Sequence, residues 1–163
     1  MFTLRQISFA GFLTAAVSIA YALYLQYGMG MEPCPLCVFQ RIVVIASGLI
    51  FLVGFLINPH GWSARIYAIL GLLSAGIGIA IAARHLWLQN APKDQLPDCG
   101  PGLDYLMDSF PVMDVFSIVL EGSGECSEIS WQFLGLTIPG WSMVLFVIFT
   151  VLNLMILFKP QRL

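Results

Sequence analysis

Four runs of apolar residues constrain this chain more than any other feature, because each is long enough to cross a bilayer. They cover residues 7–27, 37–57, 66–83 and 141–158, against the roughly 20 residues that a helical span requires. Only the second carries a charge, Arg41 near its start. Backbone polar groups in lipid must be satisfied within the segment, so such runs fold as helices. Charged residues make up 10% of the chain and mean hydropathy is +0.89; soluble domains carry about 25% charged residues. The expected architecture is therefore an all-α membrane protein, a four-helix transmembrane bundle forming a single integral membrane domain over residues 1–163.

Orientation follows from the basic residues that flank the runs. Arg5, Arg65, Lys159 and Arg162 fall at the two ends of the chain and in the loop between the second and third runs. That side is expected to be cytoplasmic. Arg41, Arg84 and Lys93 belong to the opposite side, with all 9 acidic residues. The first run could instead be read as a signal peptide ending near Ala20, but it is longer than the ~7–15 residue core of such segments, and only Arg5 precedes it.

Two outer loops result, at about residues 28–36 and 89–140. The second contains an apolar stretch too short to span. Leu103, Leu106, Met107 and Phe110, then Val112, Val115, Phe116 and Val119, recur at helical spacing on either side of Pro111. This pattern predicts two short amphipathic helices lying on the bilayer surface. In the third run, Gly71 with Ala75 and Ser74 with Gly78 are small residues four apart, a signal for close helix packing. His60, in the compact inner loop, is expected to be a solvated loop residue.

All 4 cysteines fall on the outer side, where disulfides persist. Cys34 and Cys37 form a Cys-Pro-Leu-Cys motif at the start of the second helix; Cys99 and Cys126 lie in the large loop among Gly and Pro residues. A thiolate at a helix N-terminus is stabilised by unpaired amide donors and the helix dipole. Arg41 follows Cys37 by one helical turn, so its permanent charge can favour a thiolate or hold an anion; alternatively it snorkels to lipid headgroups. His85, beside Arg84 at the outer end of the third run, can donate a hydrogen bond or relay a proton, or be a plain interface residue. Structural zinc is a competing use of four cysteines, but Cys99 and Cys126 lack the short spacing of a zinc knuckle. Static staples are another.

The run Pro33-Cys34-Pro35-Leu36-Cys37-Val38-Phe39-Gln40-Arg41 resembles the hallmark of the bacterial DsbB disulfide-bond-formation family. The stretch from Cys126 through Trp131-Gln132-Phe133-Leu134-Gly135-Leu136 is similar to that family's second signature. Gln40 departs from the acidic residue expected before the arginine in some members. The resemblance implies an inner-membrane enzyme that reoxidises a periplasmic DsbA-type thioredoxin-fold oxidase and passes electrons to ubiquinone or menaquinone of the membrane pool, with no nucleic-acid partner. It implies four catalytic cysteines. Cys99 forms the mixed disulfide with the partner; Cys126 then attacks Cys34; and Cys37 is released as a thiolate facing the quinone. Arg41 and His85 are the implied quinone-binding residues, Arg41 stabilising negative charge and His85 hydrogen-bonding a quinone oxygen. A DsbA-type oxidase has a potential near about −120 mV, so a quinone acceptor supplies direction that cysteine exchange alone would not. Enzymes similar to vitamin K epoxide reductase couple the same chemistries, but the cysteine order here fits them poorly. A non-enzymatic scaffold with structural disulfides is the third class.

Overall fold

The computed structural model describes residues 3–92, 105, 108–121, 127, 129 and 131–158. Helix α1 (Leu4–Leu23) starts at a reciprocal cap: the Thr3 side chain accepts from the Gln6 backbone, and the Gln6 side chain accepts from the Thr3 backbone. It runs on into a π-helical turn, Tyr24–Gly28. Helix α2 (Pro35–Ile57) starts with Pro at its first position, where no amide donor is needed, and stops at Asn58, whose φ of 46° is left-handed. Helix α3 (Trp62–Asn90) follows Gly61, whose φ of 57° turns the chain back.

At 29 residues, α3 is longer than the expected span at 66–83. The fall in hydropathy at Arg84 ends the apolar run without ending the helix, because no breaker intervenes before Pro92. Its last two turns therefore stand beyond the apolar run and carry His85 and Gln89. Helix α4 (Val112–Glu121) is one of the two expected amphipathic helices; half of the other, over 103–110, lies outside the described residues. Two short strands, β1 (Gln132–Phe133) and β2 (Leu136–Thr137), then form an antiparallel hairpin that the all-helical expectation did not include. Leu134 and Gly135 both have positive φ, 51° and 81°, the backbone required at the two central positions of a tight hairpin turn. Helix α5 (Ile138–Leu157) completes the bundle.

Helices α1, α2, α3 and α5 are each long and apolar enough to cross a membrane. In the bundle, α3 packs between α2 and α5, and α1 packs on α2. Sequence explains the closeness. Along α3, Ala64, Ala68, Gly71, Ala75, Gly78, Ala82 and His85 recur in steps of four and three and are all buried. The small residues admit large ones from across the seam: a Cβ at Gly78 would lie 2.3 Å from Phe146 Cε1, and one at Gly71 would lie 2.0 Å from Asn153 Oδ1. Ser47 and Ser74 link α2 to α3 through hydroxyls 2.8 Å apart. The outward faces are apolar too. Val17, Leu49, Leu73 and Val151 are all exposed in mid-helix, as lipid-facing residues are.

Helix α4 packs on the bundle. Val115 and Val119 are buried against Leu36 of α2 and Ile81 and Leu88 of α3, closing the Cys34 end of the bundle. Part of the apolar face expected to rest on the bilayer is spent on this contact.

Candidate functional site

The start of α2 sets the geometry of the cysteine pair. Cys34 is the helix N-cap, with extended backbone, and its sulfur accepts from the Cys37 backbone N–H at 3.4 Å. Pro35 fixes the first helical residue behind it. The next turn brings Cys37 Sγ to 2.8 Å from Cys34 Sγ. Both sulfurs are partly buried, at the positive end of the α2 dipole.

His85 reaches this pair from α3. It occupies the next position on the small-residue seam, so the rotation that buries Gly78 and Ala82 also turns the imidazole inward. It is 2% exposed. Its Nε2 lies 3.7 Å from Cys34 Sγ, and its Nδ1 lies 3.1 Å from Gln40 Nε2. Gln40, 3% exposed, sits on the corresponding inner face of α2 with Leu36, Val44 and Ser47. Its Oε1 is buried with no hydrogen-bond partner among the described residues. Such an acceptor costs about 1–3 kcal/mol. Sequence reasoning assigned Gln40 no role; the available signal was a polar side chain one helical turn from apolar neighbours on both sides, inside an apolar run.

Arg41 points inward. Its Nη1 donates to Gln26 Oε1 in the π-helical turn, and its Nη2 to the Ala22 carbonyl at 3.2 Å. Those bonds hold the guanidinium at the wall of a cavity of about 750 Å³ among α1, α2, α3 and α5 at the Cys34 end of the bundle. Cys34, Cys37, Gln40, Gln26 and His85 line the same space. Its size falls within the ~300–1,000 Å³ of small-molecule sites. Trp131, ahead of the hairpin, closes one side. An aromatic chain holds it there: Trp131 is 6.0 Å from Tyr21 and 5.9 Å from Phe133, and Trp141 Nε1 donates to the Phe133 carbonyl at 3.1 Å. Thr137 adds a hydroxyl bond to Gln89 of α3 at 2.8 Å.

Cys34, Cys37, Arg41 and His85 are thus gathered at one cavity, whereas Cys99 and Cys126 lie outside the described residues. Cys34, Cys37 and His85 bring three soft donors within 4.8 Å of one another. A tetrahedral zinc with ~2.3 Å bonds to sulfur would hold two thiolates about 3.7 Å apart, wider than the 2.8 Å found here. The two sulfurs are in contact, closer than that geometry allows and farther apart than the ~2.05 Å of a disulfide bond.

Known proteins resemble this chain over nearly its whole length. The family model described as "Disulfide bond formation protein DsbB" matches residues 4–156. Curated relatives named "Disulfide bond formation protein B" include one from Nitrosococcus oceani, 47% identical over 152 residues, 93% of this chain and 90% of the relative. Another, from Hahella chejuensis, is 49% identical over 148 residues, 91% of this chain and 90% of the relative. A third, from Marinobacter nauticus, is 45% identical over 148 residues, 91% and 88% of the respective lengths.

Proposed function

This chain belongs to the DsbB family of disulfide bond formation proteins, and from that premise we propose that it reoxidises a periplasmic DsbA-type thiol oxidase and delivers the electrons to membrane quinone. The observation that best supports this reading is the Cys34–Cys37 pair at a helix N-terminus, opening on a cavity that Arg41 also lines. A lipid-soluble acceptor approaches from the bilayer, so its electron donor belongs where a helix enters the membrane. A ubiquinone or menaquinone ring fits the site's volume, and the donor set suits it: thiol sulfur to give electrons, guanidinium to meet negative charge. Bound there, a quinone supplies a two-electron, two-proton acceptor.

The chain's own residues do the rest. A partner thiolate attacks Cys99, breaking the Cys99–Cys126 disulfide and forming a mixed disulfide; the partner's second thiol resolves that bond, leaving the partner oxidised and Cys99 and Cys126 as a dithiol. Cys126 attacks Cys34, breaking the Cys34–Cys37 disulfide and forming a Cys34–Cys126 bond while Cys37 leaves as a thiolate. The N-terminal amides of α2 stabilise that leaving group. Cys99 then closes on Cys126 and returns Cys34 as a thiol. Closure of Cys34 with Cys37 releases two electrons and two protons, which restores the starting disulfide. Arg41 holds charge at the cavity wall throughout. With basic residues flanking the inner ends of the helices, both termini are cytoplasmic and the cysteines periplasmic.

The test is quinone absorbance in detergent, with the purified protein, a reduced thioredoxin-fold oxidase and a Cys37→Ala control. Quinone loss that requires both the partner and Cys37 is expected. A folded, quinone-loaded protein that shows no loss would sink the proposal.

A further inference from the structure

We propose that Gln40 is a positioning residue that sets the tautomer of His85, so that the imidazole presents an N–H to Cys34 Sγ and favours the Cys34 thiolate. The inference rests on the proposed redox role of Cys34. It is carried by three features of one cluster: the Gln40 Nε2 to His85 Nδ1 contact of 3.1 Å, the His85 Nε2 to Cys34 Sγ contact of 3.7 Å, and the burial of both polar side chains.

The chemistry follows from the donor inventory. An amide nitrogen has only hydrogens to offer, so His85 Nδ1 must meet it with a lone pair. A neutral imidazole then carries its hydrogen on Nε2, the atom that faces the sulfur. The N–H stabilises a thiolate at Cys34 and gives little to a protonated thiol. An acidic side chain at position 40 would do the opposite at Nδ1, accepting a hydrogen and not giving one. The Cys37 backbone N–H and the His85 ring thus both face Cys34 Sγ.

Other ionisable groups of the described residues line the same cavity. Cys37 and Arg41 of α2 and Glu32 of the preceding connection line the cavity, while α4 presents Val115 and Val119 to this end of the bundle. A protein in which Cys37, Cys99 and Cys126 are replaced by serine removes the competing thiols and keeps Glu32 and Arg41 constant.

In that background, the rate of Cys34 alkylation by iodoacetamide is measured across pH, for the parent, Gln40→Met, His85→Leu and the double variant. The expected result is a rise of about one pH unit in the alkylation midpoint for each single variant, with the rate at neutral pH down about ten-fold. The double variant should shift no further than the larger single one, since both act through the same N–H. An unshifted midpoint in Gln40→Met, or additive shifts in the double variant, overturns the proposal. Because a variant can also fail to fold, the tautomer is read independently by ¹⁵N NMR of the histidines in the unsubstituted protein, with His60→Asn to assign the 2 signals. Hydrogen on His85 Nε2 supports the assignment, and hydrogen on Nδ1 overturns it. Neither measurement uses quinone or a protein partner, so failure here is distinguishable from failure of the proposed electron relay.

Discussion

Cys34 caps the helix that carries Cys37: the Cys37 backbone N–H donates to Cys34 Sγ at 3.4 Å. One sulfur therefore has a structural duty beside its proposed redox one. Cys34→Ala removes the cap and should lower stability by about 1 kcal/mol, while Cys34→Ser keeps an acceptor there and should lose less. Unfolding of both variants in mixed micelles measures the difference; equal losses would argue against the cap.

Under the proposed relay, the loop cysteines separate partner exchange from the Cys34–Cys37 pair. Cys99→Ser or Cys126→Ser should abolish oxidation of a thioredoxin-fold partner while leaving the Cys34–Cys37 disulfide able to form. Partner turnover is followed by thiol trapping, and the disulfide by mass spectrometry. Undiminished turnover in either variant contradicts the assigned order of exchange.

Arg41 is tied to Gln26 and to the Ala22 carbonyl at the cavity wall. Arg41→Ala should raise the apparent KM for quinone by roughly ten-fold or more, the worth of one charge-assisted hydrogen bond. Arg41→Lys keeps the charge but loses the planar fork, and should fall between. Steady-state kinetics with a soluble short-tail quinone gives both values, and a KM unchanged in Arg41→Ala rejects the role.

The α3 seam predicts a contrast among glycines of one helix. Gly78→Ala sets a methyl group 2.3 Å from Phe146 Cε1 and should destabilise by about 1–3 kcal/mol. Gly76 has nothing within 4 Å of such a Cβ, so Gly76→Ala should be neutral or slightly stabilising. Denaturation midpoints of the two variants test whether α3 packs in this rotation. A neutral Gly78→Ala alongside a destabilising Gly76→Ala would place a different face inside.

The same seam shows where legibility stopped. The Gly71–Ala75 and Ser74–Gly78 spacings announced a close contact, but not that His85 continues the line of Ala64, Ala68, Gly71, Ala75, Gly78 and Ala82. A span ended at residue 83 on hydropathy leaves His85 outside the helix, and its direction is then undefined. Similarly, Trp131, Phe133 and Gly135 were recognisable only as a motif. Their hairpin depends on positive φ at Leu134 and Gly135, and its place on Tyr21 and Trp141 comes from contacts distant in sequence.

By itself the sequence determined the number of crossings, the helical class and the site of the cysteine motif, because bilayer thickness and local backbone chemistry act on contiguous residues. Tertiary structure decided what faces the Cys34 sulfur. The relative rotation of α2 and α3 turns Gln40 toward His85 and His85 toward Cys34, and turns Arg41 into a cavity rather than toward headgroups. The rotation of α3 is set by which of its small residues accept large residues of α5, and its seating on α2 by contacts such as Ser47 with Ser74; no spacing within a single helix contains either.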